Sequence, residues 1–341
     1  MPNPSIPDPS SIFFTIIYPK QVESYVRFRN FAPEVVPSTP YVPKNNLLGQ
    51  PQMLKMNEVL RIAVQKSGRL SEDSLNLFKE CGIKFDNGAG KLKATSSNFP
   101  AEFLFLRDDD IPGYVEDGVA DIGIVGQNVH VETSKHVNEV KLLGFSKCRL
   151  SIAIPRSETY GSVKELEGKS IATSYPVILG NFLKDNGVTA HIHEISGSVE
   201  IAPSIGLADA VCDIVSSGGT LLSNGLKEVE VIFRSEAIMI GYPNLSPEKQ
   251  NILNQILFRI DSVQRAKNRK YVVLNTKQEN IALIRQLLPG MKAPSILPLA
   301  DEGWVSMHSV IEEQDFWQNI EKLRDAGAEG ILVLPIEKMI F

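Results

Sequence analysis

The residues best suited to chemistry in this sequence form a turn of small and hydroxyl-bearing side chains. An apolar run at 210–215 contains one acidic residue, Asp213, and leads into the turn at 216–220. The turn consists of Ser216, Ser217, Gly218, Gly219 and Thr220. Successive backbone N–H groups in such a turn, at the start of a helix, form a cradle for a phosphate group. Glycines let the main chain approach the anion, and the hydroxyl groups donate further hydrogen bonds.

Asp213 lies close enough to this turn to serve the same ligand. Its carboxylate can accept hydrogen bonds from ribose hydroxyls or help to hold Mg²⁺. The turn alone is equally consistent with an ordinary tight connection between a strand and a helix. The turn and the carboxylate together favour a phosphosugar site, and the pattern is neither a Walker A loop nor GxGxxG.

Two cations follow the first predicted strand, in the segment Gln65-Lys66-Ser67-Gly68-Arg69. Residues at the carboxyl ends of parallel strands face the ligand crevice of an open α/β sheet. Lys66 and Arg69 therefore suit recognition of a polyanion, although a solvated surface loop has the same composition.

Two further connections between strands and helices carry polar side chains. At 107–112, Arg107 precedes three aspartates and Ile-Pro, which predicts capping of a helix by at least one aspartate. Adjacent residues point apart, so the three carboxylates are not expected to form a metal triad. At 172–176, the hydroxyl groups of Ser174 and Tyr175 lie where a strand meets a helix and are candidate donors to phosphate oxygens.

Composition excludes several classes of protein. The chain has 341 residues and a formal net charge of −5, which argues against sequence-independent binding of nucleic acid. No apolar run reaches the ~18 residues of a membrane span, and no signal peptide is recognisable. The three cysteines have neither disulfide-framework nor zinc spacing, and the five histidines show no HExxH pattern, so a reducing cytoplasm is expected.

Beyond residue 56, short apolar runs alternate with helical patterns, which is typical of an α/β protein. Strands are predicted at 59–64, 102–107, 121–125, 149–155, 170–173, 190–195, 210–215 and 229–240, and helices near 75–81, 111–117, 177–186 and 198–208. The first helix is predicted to begin at Ser71 or Ser74 and to end at Gly82. The strands at 149–155 and 229–240 bracket an insert, as a two-lobed, hinged fold with a ligand cleft requires.

The C-terminal part has a different order of elements, after a polar helix at 249–270. Strands at 271–275, 295–299, 305–311 and 330–335, with helices at 279–288 and 316–325, give the ferredoxin-like order βαββαβ. The predicted domains are catalytic lobe I at 56–148 plus 234–266, catalytic lobe II at 149–233 and a third domain at 267–341.

The first 55 residues differ from the rest in their proline content. Ten of the 21 prolines, but one of the 24 glycines, fall between Pro2 and Pro51. Repeated proline forbids a continuous helix or a central strand. Met56 opens directly into the first predicted strand. A translation start at Met53 or Met56 therefore fits the segment better than a disordered tail does. We expect residues 1–55 to be an extension that adds nothing to function.

At these residues the sequence resembles the long form of the ATP phosphoribosyltransferase family, the first enzymes of histidine biosynthesis. The matching segments lie in order at 65–70, 107–112, 172–176, 197–200, 206–210, 213–220, 225–230 and 331–338. One departure is Ser217-Gly218-Gly219, where the family commonly has Thr-Gly-Ala, and both changes keep the residues small. The resemblance implies a two-lobed hinged catalytic part, like type II periplasmic-binding folds, followed by a ferredoxin-like regulatory domain.

The resemblance also implies a pentosyl transfer. N1 of the ATP adenine attacks C1 of the ribose in phosphoribosyl pyrophosphate and displaces Mg²⁺-bound pyrophosphate, giving phosphoribosyl-ATP. Residues 213–220 would hold the 5′-phosphate and ribose, with Asp213 also catalytic, and Glu200 would meet the ribose hydroxyls. The residues implied to meet ATP or the departing pyrophosphate are Gln65, Lys66, Gly68, Arg69 and Arg107. Arg69 is the foremost catalytic cation among them, and no residue is assigned as nucleophile.

By the same resemblance, the C-terminal domain binds histidine as a feedback inhibitor, and the chain forms homodimers that assemble into hexamers. Thr276, Ser295 and Ser306 are candidate donors to the histidine carboxylate, and no acidic partner is assigned. A purely structural role in oligomer assembly is the alternative for this domain. Mg²⁺ is the expected metal ion, without assigned protein ligands.

Two other functions compete with this interpretation. A ligand-binding or sensory protein with the same hinged fold has no need of a phosphosugar site at 213–220. A catalytically inert regulatory subunit is the third interpretation, since the short form of the family depends on a partner chain. The βαββαβ domain is what the long form carries and the short form lacks, which favours the enzyme.

Overall fold

The structure is a computed structural model and describes residues 58–86, 91–288, 290 and 293–340. Its strands are β1 (Leu60–Gln65), β2 (Lys93–Thr95), β3 (Ala101–Leu106), β4 (Ile122–Gly126), β5 (Asn138–Leu142), β6 (Cys148–Pro155), β7 (Ser170–Thr173), β8 (His191–Glu194), β9 (Ala210–Val215), β10 (Leu226–Ser235), β11 (Ala237–Gly241), β12 (Arg269–Lys277), β13 (Ser295–Pro298), β14 (Trp304–Glu312) and β15 (Glu329–Pro335). Its helices are α1 (Arg69–Glu80), α2 (Ile111–Glu116), α3 (Gln127–Thr133), α4 (Pro176–Asp185), α5 (Gly219–Ser223), α6 (Pro247–Ala266), α7 (Ile281–Leu287) and α8 (Glu313–Asp325). The α/β fold class expected from the sequence is confirmed.

The first sheet has six strands in the order β2-β3-β1-β4-β11-β5. β1 pairs in parallel with β3 and β4, and β11 runs antiparallel to β4. β1 is apolar almost throughout because both faces of the sheet are covered. Leu60 and Ile62 pack towards α1 and α6, whereas Ala63 packs towards α2 and α3.

The second sheet has five strands in the order β10-β6-β9-β7-β8. β7 pairs in parallel with β8 and β9, whereas β6 is antiparallel to β9 and β10. Its core includes Leu150, Ile171 and Leu179, which join β6, β7 and α4. His191 and His193 on the edge strand β8 are both exposed.

The chain passes between these two sheets twice, once from β5 to β6 and once from β10 to β11. The prediction of a single strand at 229–240 is therefore wrong. The chain leaves the second sheet after Ser235 and enters the first at Ala237, with Glu236 between them. The backbone carbonyl of Glu236 accepts a hydrogen bond from the N–H of Gln127 at 3.0 Å, which holds the crossing against the end of β4. Two crossings are what a two-lobed, hinged fold requires.

The third sheet confirms the ferredoxin-like arrangement. Its strands lie in the order β13-β14-β12-β15, and all neighbours are antiparallel. α7 and α8 pack on one face through a core that includes Val272, Leu274, Ile284 and Leu323. Among the described residues, no helix of this domain lies on the other face.

Two predicted helices differ from the structure. α1 begins at Arg69 rather than at Ser71 or Ser74, and the hydroxyl of Ser74 donates to the carbonyl of Leu70 within the helix at 2.6 Å. The segment 198–208 forms only the short turn Val199–Ile201 and irregular structure. Pro203 removes a backbone donor, and Gly206 adopts a φ of +74°, so a regular helix cannot continue there.

The aspartates at 108–110 form a single 3₁₀ turn before α2. Asp110, which precedes the helix, makes no side-chain capping hydrogen bond, so the capping prediction is wrong. Proline does occupy the first turn of α2, as predicted.

The expectation that residues 1–55 add nothing to function lies outside the described residues. Among the described residues, no helix is both long and apolar enough to cross a membrane.

Gly123 in β4 offers a test of this packing. A Cβ placed there lies 2.5 Å from Cγ2 of Ile111 and 3.1 Å from Cγ2 of Val115. We expect Gly123→Ala to lower the free energy of unfolding by about 1–3 kcal/mol because α2 must move away from the sheet. The midpoint of urea unfolding measures the change.

The matched control is Gly113→Ala in α2, where a Cβ meets nothing within 4 Å. This variant should gain about 0.5–1 kcal/mol, because alanine loses less backbone entropy than glycine on forming a helix. Equal stability of Gly123→Ala and the wild type would contradict the close packing of α2 on β4.

Candidate active site

The two basic segments predicted to meet phosphates lie side by side. β1 and β3 are parallel neighbours with Gln65 opposite Leu106, so the residues that follow them share one edge of the first sheet. The N–H of Lys66 donates to the carbonyl of Leu106 at 2.8 Å, which ties the start of one segment to Arg107 in the other. The side chains of Lys66 and Arg107 are both exposed at this edge.

Arg69 is the first residue of α1 and follows Gly68, whose φ of +95° turns the chain from strand to helix. Its side chain is 73% exposed, and its nearest ionic partner is Asp73, at 3.9 Å from Nε to Oδ2. A pair this long and exposed contributes little to stability. The guanidinium group is therefore available to an anionic ligand.

The carboxylates of Asp213 in β9 and Glu200 lie close enough to interact electrostatically. Burial raises the pKa of the Asp213 carboxyl above its ordinary value, and the negative charge of Glu200 adds to the rise. The N–H of Ile214 donates to Oδ1 of Asp213 at 2.7 Å, which opposes the rise but does not reverse it. Two carboxylates that share a half-buried site favour a ligand with hydroxyl groups or a cation.

The turn at 216–220 has the backbone geometry expected of a phosphate cradle. Gly218 adopts a φ of +82°, a conformation that favours glycine, and the N–H of Gly219 lies 3.5 Å from Oγ of Ser217. Within the described residues, the N–H groups of Gly218 and Thr220 donate to no protein acceptor. α5, which follows, has five residues. Its dipole is therefore small, and the turn itself presents the donors.

Tyr175 interacts with a residue of the other lobe, whereas the hydroxyl of Ser174 makes its hydrogen bond within its own lobe. Asn128 on α3 makes a hydrogen bond to the Tyr175 side chain, and burial raises the pKa of Tyr175, with a further contribution from Asp213. The phenol is therefore a neutral hydrogen-bond donor. The hydroxyl of Ser174 donates to the carbonyl of Ile195 at 2.6 Å, which leaves it poorly placed for phosphate.

α3 is a bridging element that the sequence analysis missed. Its residue Glu132 caps α4 of the other lobe, accepting from the N–H groups of Val177 at 2.8 Å and Ile178 at 3.0 Å. Asn128 and Ser235 form a buried pair at 2.8 Å beside the second crossing. The only signal in the sequence was a strand-to-glycine turn at 121–128, which by itself is weak.

Among the described residues, no three His, Cys, Asp or Glu side chains are grouped so that they could hold a metal ion.

Comparison with known proteins identifies the family. The profile of the ATP phosphoribosyltransferase family matches residues 107–262, and that of the HisG C-terminal domain matches residues 266–338. An ATP phosphoribosyltransferase of Cytophaga hutchinsonii is 61% identical over 285 residues, which are 84% of this chain and 100% of that protein. The chain belongs to the ATP phosphoribosyltransferase family.

Further comparisons agree with this assignment. An ATP phosphoribosyltransferase of Bacteroides thetaiotaomicron is 56% identical over 282 residues, covering 83% of this chain and 100% of that protein. The solved ATP phosphoribosyl transferase (HisG:HisZ) complex from Thermotoga maritima aligns with a TM-score of 0.51 and 26% identity, over 60% of this chain and 99% of that one. The C-terminal profile places this ATP phosphoribosyltransferase in the long form. It is a pentosyltransferase of the first step of histidine biosynthesis, as the resemblance implied.

The three candidate histidine-binding residues of this ATP phosphoribosyltransferase do not converge. Thr276 is opposite Val305 in the sheet, on the face covered by helices, and its buried hydroxyl donates to the carbonyl of Gly327 at 3.0 Å. Ser306 lies on the opposite face, because neighbouring residues in a strand alternate. Ser295, which pairs with His308, shares the face of Ser306. Only Ser295 and Ser306 can therefore contact one ligand.

The raised pKa of Asp213 leads to a stability prediction. A carboxyl group whose pKa is raised in the folded protein lowers the free energy of unfolding when it is ionised. This loss of stability is present at pH 7 and disappears on acidification, when the group is protonated in both the folded and the unfolded protein. Asp213→Asn should therefore raise the Tm of the free protein at pH 7, and the gain should vanish below about pH 4. Differential scanning fluorimetry at both pH values measures the effect.

The control is Asp209→Asn in the same lobe. Oδ2 of Asp209 accepts from the N–H of Ser170 at 2.8 Å, and Lys169 lies 3.9 Å from its Oδ1. This carboxylate has partners, so its replacement should lower the Tm. A lower Tm for Asp213→Asn at both pH values would show that Asp213 is a structural carboxylate.

Proposed function

We propose that this chain transfers the phosphoribosyl group of phosphoribosyl pyrophosphate to N1 of ATP, with the 5′-phosphate held by the turn at 216–220. The observation that carries the proposal is that Asp213, near the end of the strand that leads into the turn, interacts with a second carboxylate, Glu200, while the turn presents backbone N–H groups. A phosphosugar satisfies both parts, since its hydroxyls donate to carboxylates and its phosphate accepts from N–H groups.

Catalysis in this proposal rests on positioning and electrostatics rather than on a strong general base. The lone pair of adenine N1 forms the new bond to C1, and the C1–O bond breaks with its electrons passing to pyrophosphate. Positive charge that develops on the ribose is favoured by Asp213 and Glu200. Negative charge that develops on pyrophosphate is matched by Lys66, Arg69 and Arg107 at the edge of the first sheet.

Mg²⁺ fits this site as an ion carried by the substrate. Two carboxylates near one another, Asp213 and Glu200, provide at most part of a coordination sphere. Mg²⁺ commonly combines one or two carboxylates with phosphate oxygens and water. When bound, the ion neutralises charge on the departing pyrophosphate.

Tyr175 interacts with groups from both lobes. Burial raises the pKa of Tyr175, the charges of Asp213 and Asp108 raise it further, and Asn128 of the other lobe makes a hydrogen bond to its side chain. The phenolic proton is then free to donate to a substrate oxygen. This assignment makes Tyr175 a binding residue and leaves the hydroxyl of Ser174 a structural one.

The proposal extends to regulation and assembly. The C-terminal domain binds histidine as a feedback inhibitor, and the chain assembles as a homodimer and hexamer. The face of the third sheet that carries Ser295 and Ser306 is the surface proposed for the histidine carboxylate. Ser295 is exposed there, whereas Ser306 is buried and its hydroxyl lies 3.1 Å from Nε2 of His308. The enzyme works in the cytoplasm, and its three free cysteines suit a reducing compartment.

One assay tests the reaction. Purified protein is incubated with ATP, phosphoribosyl pyrophosphate and Mg²⁺, and pyrophosphatase is added to draw the reaction forward. The ultraviolet absorbance of an N1-substituted adenine nucleotide should appear without a partner protein. Product that forms only with a partner chain would favour the inert-subunit interpretation, and binding without turnover would favour a sensory protein.

Arg69→Ala tests the cationic side of the site. We expect kcat/KM to fall by an amount equivalent to about 2–4 kcal/mol, the scale of a lost charge stabiliser at a reacting centre. The exposed guanidinium group of Arg69 contributes little to the stability of the fold, so the Tm should not change. Lys79→Ala, at the other end of the same helix, is the control and should leave kcat/KM unchanged. Wild-type kcat/KM in Arg69→Ala would remove this residue from the site.

Histidine inhibition through a separate site makes a quantitative prediction. Saturating phosphoribosyl pyrophosphate should weaken histidine binding by a finite factor, corresponding to a coupling free energy of about 1–3 kcal/mol. Isothermal calorimetry with increasing substrate measures whether the Kd of histidine reaches a plateau. A Kd that rises without limit would mean direct competition and would contradict the allosteric site.

A further inference from the structure

The backbone carbonyl of the first residue in the turn at 216–220 accepts a hydrogen bond from a charged side chain. Arg149 lies in β6, opposite Val215 at the end of β9. Nη1 of Arg149 donates to the backbone carbonyl of Ser216, the first residue of the turn, at 3.2 Å. None of the family-based assignments above includes Arg149.

Arg149 is itself held in place by a carboxylate. Nε and Nη2 donate to the two oxygens of Glu228 in β10, at 2.5 and 2.6 Å, in a two-pronged contact. The buried hydroxyl of Ser151 donates to Oε1 of Glu228 at 2.7 Å. Residues of two strands and the first residue of the turn therefore hold the guanidinium group of Arg149, whose side chain is 29% exposed.

Peptide geometry gives this contact a consequence for anion binding. In a trans peptide the C=O of one residue and the N–H of the next point in opposite directions. When Arg149 draws the carbonyl of Ser216 towards β6, the N–H of Ser217 is directed to the other side of the turn. The same contact keeps a partially negative carbonyl oxygen out of the anion's surroundings.

We propose that Arg149 and Glu228 are positioning residues that orient the Ser216–Ser217 peptide for binding of the substrate phosphate. This inference rests on the proposed function and deepens it. Glu228 has a second effect in this arrangement. By neutralising the guanidinium, it makes Arg149 an orienting group rather than a direct phosphate ligand. The pair stays ionised, because Arg149 holds the pKa of Glu228 below its ordinary value.

Substitution of Arg149 gives a selective kinetic signature. Arg149→Gln should raise KM for phosphoribosyl pyrophosphate about tenfold, the scale of one lost charge-assisted hydrogen bond, and leave KM for ATP unchanged. Arg149→Lys keeps the charge but not the planar fork, so it should restore only part of the affinity. A general loss of structure would instead alter both KM values and the Tm.

Glu228→Gln separates positioning from direct charge attraction. If Arg149 orients the peptide, this change loosens the guanidinium and raises KM for phosphoribosyl pyrophosphate. If Arg149 binds phosphate directly, removing a competing anion should lower that KM. A lower KM in Glu228→Gln would overturn the proposal, and this variant gives the answer even if Arg149→Gln fails to fold.

The control is Arg156→Gln in the same lobe, whose Nε donates to the carbonyl of Leu226 at 3.4 Å and which does not touch the turn. It should retain wild-type KM values. If the wild-type enzyme shows no transfer from phosphoribosyl pyrophosphate to ATP, the proposed function fails irrespective of these variants. If the wild type is active and Arg149→Gln keeps a wild-type KM for phosphoribosyl pyrophosphate, only the positioning role fails.

Discussion

Backbone N–H groups can bind an anion only when several peptide planes are fixed in one orientation at once. The turn at 216–220 meets this requirement through a left-handed glycine, Gly218, and a first carbonyl held by Arg149. The antiparallel pairing of β6 and β9 places Arg149 opposite the end of β9, so the register of the sheet determines whether the contact exists. The local turn therefore depends on the long-range fold of its lobe.

The same lobe contains a half-buried carboxyl group that is unfavourable for the stability of the free protein. Asp213 is half-buried next to Glu200, and no cation among the described residues forms an ion pair with it. Burial of a charge without compensation lowers the stability of the free protein. In the proposed function, the ribose hydroxyls of the substrate would donate hydrogen bonds to Asp213 and so offset the cost of burying its charge.

Hydrogen bonds made by α3 connect the two lobes. α3 follows β4 of the first sheet, yet its Glu132 caps α4 of the second. The paired Asn128 and Ser235 lie beside the crossing from β10 to β11. Because Asn128 also reaches Tyr175, the hydrogen-bond network at the crossing extends to the candidate site.

Much of this architecture could be predicted from periodicity and turn residues. Most strands, the βαββαβ order and the turn at 216–220 were visible, because burial and glycine geometry leave local signatures. The short strands β2 and β5 were not predicted. The helix expected at 198–208 failed because Pro203 and Gly206 outweigh an apolar pattern. The break at Glu236 was invisible, because each half of 226–241 has an ordinary strand pattern and only the pairing partners change.

The residues that hold the turn at 216–220 in place could not be recognised from the sequence either. Arg149, Glu228 and Ser151 come from two strands separated by more than seventy residues, and nothing in their local patterns links them to the turn. Thr276 and Ser306 were grouped by residue type, whereas strand alternation places them on opposite faces. Residue types indicate which chemistry is available, but strand register decides which groups meet.

The most direct test of the central claim is the structure of the enzyme with phosphoribosyl pyrophosphate and Mg²⁺ bound. The account predicts the 5′-phosphate at hydrogen-bond distance, about 3 Å, from backbone nitrogens of the turn at 216–220, with ribose hydroxyls on Asp213 and Glu200. It also predicts that Arg149 still contacts the carbonyl of Ser216. A 5′-phosphate bound instead by Lys66 and Arg69, with the turn empty, would contradict it.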